Sequence, residues 1–150
     1  MRDQNLLFDN ALALTSSQVS TNIVPLGPLA AGNARRNIGE ANNQLYVVLT
    51  VGTAMLSSGS ATLTGVLQTD NNSGFSSATT IFTPFSAIPK ASLVANAKFV
   101  APLPPGAYEN FLQMSWTAGT ADFSAGTLYC EVTMNPQSDF YAYDSALSNG

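Results

Sequence analysis

Apolar residues along this chain recur at every second position. From Phe111 to Thr117, Leu112, Met114 and Trp116 alternate with Gln113, Ser115 and Thr117, and Leu128, Cys130, Val132 and Met134 repeat the pattern against Thr127, Tyr129, Glu131 and Thr133. Period two sends successive side chains to opposite faces, so both segments are predicted to be strands with one face on a core and one wet. Leu45 to Val51 is apolar on both faces, the pattern of a strand in the middle of a sandwich. Weaker strand patterns cover Val19 to Leu26, Ala61 to Thr69, Ser77 to Ser86 and Ala97 to Leu103.

Turn chemistry separates these segments: Ser57-Ser58-Gly59-Ser60, Asp70-Asn71-Asn72-Ser73-Gly74, Pro104-Pro105-Gly106 and Ala118-Gly119-Thr120. No segment sustains a 3.6-residue apolar period with caps, so little helix is expected. Seven or eight short strands punctuated in this way define an all-β, jelly-roll-like β-sandwich. Its core is expected over residues 15–134 of one domain. An extended N-terminal arm (1–14), a long loop from Gly27 to Asn43 and a C-terminal tail (135–150) fall outside the strand pattern.

Charge changes the functional picture. Only 9% of the 150 residues are charged, where an ordinary domain has about 25%. Ser, Thr, Asn and Gln, at 49 residues, take the vacated surface. A net charge of −4 argues against nucleic acid as a partner, since phosphate neutralisation needs clustered Lys and Arg. No apolar run approaches the roughly 18 residues that span a bilayer, and Asp9 and Asn10 end the short apolar run Leu6-Leu7-Phe8. No membrane partner is expected, and synthesis is expected in the cytosol. Without histidine, neither Ser-His-Asp nor Cys-His catalysis can be built within the chain, and one cysteine excludes an intrachain disulfide.

The remaining candidates for chemistry read more simply as structure. Asp70 to Gly74 places alternating oxygens in a tight loop but lacks the distal bidentate Glu of a calcium loop, so a turn is expected there and no metal site. Cys130 shares a face with Leu128 and Val132 and is expected to be a buried thiol. Trp116 is expected in the core with Leu112 and Met114. The acids are scattered singly, which does not suggest the paired carboxylates of a glycosidase. No catalytic residue and no cofactor are expected. The candidate interface residues are Leu6, Leu7 and Phe8 in the arm, the adjacent pair Arg35 and Arg36 in the long loop, and Phe140, Tyr141 and Tyr143 in the tail.

An ordered set of short motifs carries a resemblance. It comprises Asn22-Ile23-Val24-Pro25-Leu26-Gly27, Ile38-Gly39-Glu40, Leu45-Tyr46-Val47-Val48, Gly59-Ser60-Ala61-Thr62-Leu63, Leu67-Gln68-Thr69-Asp70, Phe75-Ser76, Ile88-Pro89-Lys90-Ala91-Ser92-Leu93 and Leu103-Pro104-Pro105-Gly106. Together these resemble the small jelly-roll capsid cement, or decoration, proteins of short-tailed bacteriophages, over residues 5 to 134. The resemblance implies a non-enzymatic virion protein on the outer surface of the head, with the major capsid protein and further copies of itself, as dimer or trimer, for partners. The alternative function from another class is a carbohydrate-binding jelly-roll module of the lectin or receptor-binding kind.

Overall fold

The computed structural model describes residues 6–27, 44–106, 108–134 and 136. Nine strands run in the order β1 (Leu7–Leu12), β2 (Gln18–Val19), β3 (Val24–Pro25), β4 (Tyr46–Leu56), β5 (Thr62–Asp70), β6 (Thr79–Pro89), β7 (Lys98–Pro102), β8 (Phe111–Gly119) and β9 (Ala125–Thr133). A 3-10 turn, Lys90–Ser92, follows β6, and the described residues contain no α-helix.

The strands form two antiparallel sheets, β1-β9-β4-β7 and β2-β8-β5-β6, with β3 also paired to β8. Val19 lies opposite Ser115 and Val24 opposite Leu112, so β2 and β3 are one interrupted strand running along β8. Ser20 holds the interruption together. Its N–H donates to the Met114 carbonyl at 2.7 Å and its Oγ accepts from the Met114 N–H at 3.1 Å. Counted this way there are four strands per sheet. Only β5–β6 is a hairpin within one sheet, and every other connection crosses between sheets, which is a jelly roll.

The core is where alternation predicted it. Leu49, Val51, Leu128 and Cys130 from one sheet meet Leu63, Leu67, Leu112, Met114 and Trp116 from the other. Trp116 stacks on Phe85 with ring centroids 6.1 Å apart and planes 10° from parallel. It lies across Gly65 so closely that a Cβ there would overlap the indole. β4, apolar on both faces, sits inside its sheet between β9 and β7.

Two expectations are corrected. Residues 7–12 of the expected arm are β1, paired with β9, so the sandwich begins before residue 15. Leu7 and Phe8, at 5% and 0% exposure, are buried in their own molecule rather than offered to a neighbour. The cause is a register shift. One residue, Phe8, separates Leu7 from Asp9 while their partners Glu131 and Cys130 are adjacent, so Phe8 and Asp9 both turn inward and the alternation is broken. Met134, expected to continue the inward row of β9, lies beyond the strand's end and is 68% exposed.

Cys130 is buried, as expected, and burial pushes its thiol well above the ordinary range. A thiol reagent is therefore expected to label it only after denaturation, and Cys130→Ser to cost about 1–3 kcal/mol by placing a hydroxyl among apolar neighbours. Phe8→Ala is expected to cost about 3–5 kcal/mol in chemical denaturation, the usual range for a fully buried aromatic. Removing residues 1–9 should then unfold the sandwich, and a native-like melting curve for that truncation would remove β1 from the core.

Candidate functional site

Among the described residues, Asp9 is the one carboxylate aimed into the sandwich beside the core aromatics. The register shift in β1 carries it there, fully buried. Both of its oxygens are used: Oδ1 accepts the Thr21 N–H at 2.8 Å and Oδ2 accepts Trp116 Nε1–H at 2.8 Å. Burial raises its pKa above the ordinary 3.8, and the two donors, which favour the ionised form, only partly offset that. With both oxygens engaged by groups of the same chain, Asp9 joins the two sheets rather than meeting a ligand.

Asp70 shows the opposite balance. Its carboxylate accepts the Asn72 N–H at 2.9 Å and the Ser77 N–H at 2.8 Å, and these bonds, that from Asn72 foremost, lower its pKa. The carboxylate closes the β5–β6 loop, and Asn72 Oδ1 in turn accepts the Gly74 N–H at 2.8 Å. The expected turn is present. Among the described residues no three His, Cys, Asp or Glu side chains gather as a metal site.

The surface offers one distinctive region, an end of the sandwich. Leu7 lies opposite Glu131, Thr133 opposite Tyr46, and Tyr46 opposite Pro102. In the other sheet Pro25 lies opposite Phe111, and Phe111 opposite Asp70. The segment from Leu103 to Asn110 joins these two edges: the Leu103 N–H donates to the Leu45 carbonyl and the Leu26 N–H to the Asn110 carbonyl. Leu6, Leu26, Leu45 and Met134, which flank these strands, therefore lie at this same end. The opposite end is closed by its own loops, through Lys90 Nζ to the Ser57 carbonyl at 2.7 Å and Ser57 Oγ to the Asp122 carbonyl at 2.7 Å.

At the first end an open pocket of about 270 Å³ separates Thr79, Thr80 and Ile81 at the start of β6 from Pro104, Pro105 and Glu109. The loop that forms its second wall is held from below. Tyr108 is fully buried and donates its hydroxyl to the Pro104 carbonyl at 2.6 Å, and burial pushes its pKa up to about 12. The Glu109 N–H donates to Thr69 Oγ1 at 2.9 Å, and that hydroxyl donates to the Phe111 carbonyl. Nearby, Asn110 Oδ1 is buried with no hydrogen-bond partner among the described residues.

Of the interface candidates, Leu6 is partly buried against the core and Leu7 and Phe8 are buried. Arg35, Arg36, Phe140, Tyr141 and Tyr143 lie outside the described residues. The pocket was not foreseen. Its walls come from residues far apart in sequence, and the one local signal is Pro104-Pro105-Gly106, which reads as a turn.

Fold and surface together define a jelly-roll sandwich with one loop-sealed end and, at the other, an open pocket beside a braced loop. The chain belongs to the Bbp16 family, whose model matches residues 8–132. No curated protein matches it.

The sign of the Asp9 effect follows from its raised pKa. The folded state binds this proton more tightly than the unfolded state, so the contribution is fully present below 3.8 and is lost as pH rises through the higher folded value. Asp9→Asn should remove that dependence. Denaturation curves across this pH range check this, and a D9N variant that kept the parent's pH dependence would exclude Asp9 as its source.

Proposed function

We propose that the chain is a structural virion protein, a capsid decoration protein that binds the outside of a bacteriophage head and strengthens contacts between major capsid subunits. Membership of the Bbp16 family, a name that points to a bacteriophage protein, carries the reading, together with the ordered motif resemblance to jelly-roll cement proteins. In this reading the partners are the major capsid protein and further copies of the chain, the protein works on the capsid surface after synthesis in the host cytoplasm, and it catalyses nothing.

The physical features are those such a protein needs. On the outer face of one sheet, Gln113 lies opposite Gln68, Ser115 opposite Val66 and Thr117 opposite Thr64, an amide and hydroxyl surface with little charge. Gln113 Nε2 donates to Gln68 Oε1 at 3.0 Å across the two strands, which ties up part of its polarity. A rigid body of this kind keeps its shape while modest contacts are multiplied by the symmetry of a shell. Docking is expected at the end of the sandwich that carries the open pocket.

Purified protein added to heads that lack it tests this directly. A component that binds the assembled shell, and not loose subunits, stabilises it by about 2.7 kcal/mol per site at a hundredfold excess over Kd. Decorated heads should therefore withstand a higher temperature than bare ones. Truncation after residue 136 should leave the melting curve of the isolated chain intact while weakening its binding to heads. Identical heat resistance with and without saturating protein would overturn the reading, and binding to host glycans in place of heads would favour the carbohydrate-binding alternative.

A further inference from the structure

Two separate sets of contacts hold the chain on either side of Ala11. Before it, Phe8 fills the core, its carbonyl accepts the Asn22 N–H at 2.9 Å, and Asp9 accepts from Trp116 and Thr21. After it, Leu14 is fully buried, the Thr15 carbonyl accepts the Phe123 N–H at 3.1 Å, and Ser17 Oγ accepts the Ala118 N–H at 3.1 Å. Ala11 itself is exposed and sits at φ +59°, where β1 runs three residues from Asp9 to Leu12 against two from Cys130 to Leu128. A residue with a Cβ is disfavoured in this left-handed region by roughly tenfold. Ala87 has a similar φ of +47° in β6, but both ends of that strand run on into the sandwich. β1 is the edge of its sheet, so lifting it out disturbs no strand pairing but that with β9.

We propose that β1 exchanges between copies of this chain: residues 7–10 of one copy occupy the groove beside β9 of a second, and the reverse, with Ala11 as the hinge. Exchange of an identical element conserves its contacts, because the second copy offers the same core, the same Trp116 and the same Thr21. Only the hinge changes. A chain that crosses to a neighbour need not fold back at Ala11, so that residue relaxes to an extended φ in both copies.

The groove also selects its occupant. To satisfy the Trp116 Nε1–H and the Thr21 N–H, a strand must present a large apolar group and then an inward carboxylate across a register shift, which is the chain's own Phe8-Asp9. Leu7 and Phe8, buried in their own sandwich in the single chain, are buried equally in a neighbour's after exchange. The first step exposes Phe8, so exchange is slow in dilute solution and favoured where copies are held side by side. That a shell is such a place rests on the decoration reading. The exchangeability of β1 does not.

The full-length protein can be equilibrated at concentrations up to the order of 1 mM, comparable with the effective concentration of linked neighbours, and its mass distribution read by analytical ultracentrifugation. A dimer is expected, which A11G weakens about a hundredfold, tenfold for each of two hinges, because glycine takes this φ without strain. A11V should shift the balance the other way, since a β-branched residue tolerates it least. A second variant reads the connectivity. Leu7 lies opposite Glu131, so oxidised L7C/E131C is bridged within one chain when β1 is closed and between two chains when it is exchanged. Covalent dimers on a denaturing gel without reductant are the expected result. Equal dimerisation of A11G and A11V, dimers bridged only within single chains, or monomers at every concentration would each overturn the proposal. Heads that bind internally bridged L7C/E131C as tightly as the parent would sink exchange on the shell while leaving the decoration reading in place, whereas heads that bind no form of the protein would sink the decoration reading.

Discussion

The carboxylate of Asp9, enclosed between Trp116 Nε1–H and the Thr21 N–H, is the constraint around which the two sheets are organised. A buried carboxylate is costly wherever its oxygens lack donors, so any slip of β1 along β9 that withdrew it from Trp116 would leave an unpaired charge inside the sandwich. One register satisfies it. That register requires the irregularity in β1 that turns Phe8 and Asp9 inward together, and it requires Trp116 to lie in a fixed plane. Gly65 beneath the indole and Phe85 stacked against it supply that plane. The polar contact and the apolar packing thus depend on each other, β1 being held by the tryptophan and the tryptophan by β5 and β6.

From this pinned centre the ends of the sandwich diverge in character. At one, Ser57, Lys90 and the 120–124 loop exchange hydrogen bonds that satisfy their own backbone, with Phe123 N–H donating to the Thr15 carbonyl and Ser124 N–H to the Leu56 carbonyl. Backbone groups already paired have little left to offer a partner. At the other, Tyr108 and Thr69 hold a stiff loop in position while the pocket beside it stays open. Rigidity at this end comes from a few buried anchors.

Much of the fold was legible because burial imposes period two. β8 and β9 follow from alternation, with Trp116 and Cys130 on the correct faces, and β4 from a run apolar on both faces. The failures have local causes. In β1 the register shift puts two consecutive side chains inside, so Leu7-Phe8-Asp9 carries no period, and its aspartate resembles the polar stop of a loose arm. Met134 was misplaced because alternation extrapolates past the residue where pairing ends. Val19 to Leu26 looked continuous, yet Ser20 uses its side chain to hold β8 and divides the strand. The pocket's one local trace, Pro104-Pro105-Gly106, reads as a turn. Thr79, Thr80 and Glu109 are unremarkable where they stand in the chain, and only the crossing of the β7–β8 connection between sheets brings them together.

A surface with so few charges makes the position of each one matter more. Lys90 is committed to the Ser57 carbonyl at the sealed end, Asp70 to its loop and Asp9 to the interior. Hydroxyl and amide faces contribute little selectivity, since water satisfies them as well as most partners do. Specificity in a molecule of this composition must therefore come from shape and from isolated charges set against rigid walls, and the open end of the sandwich has both.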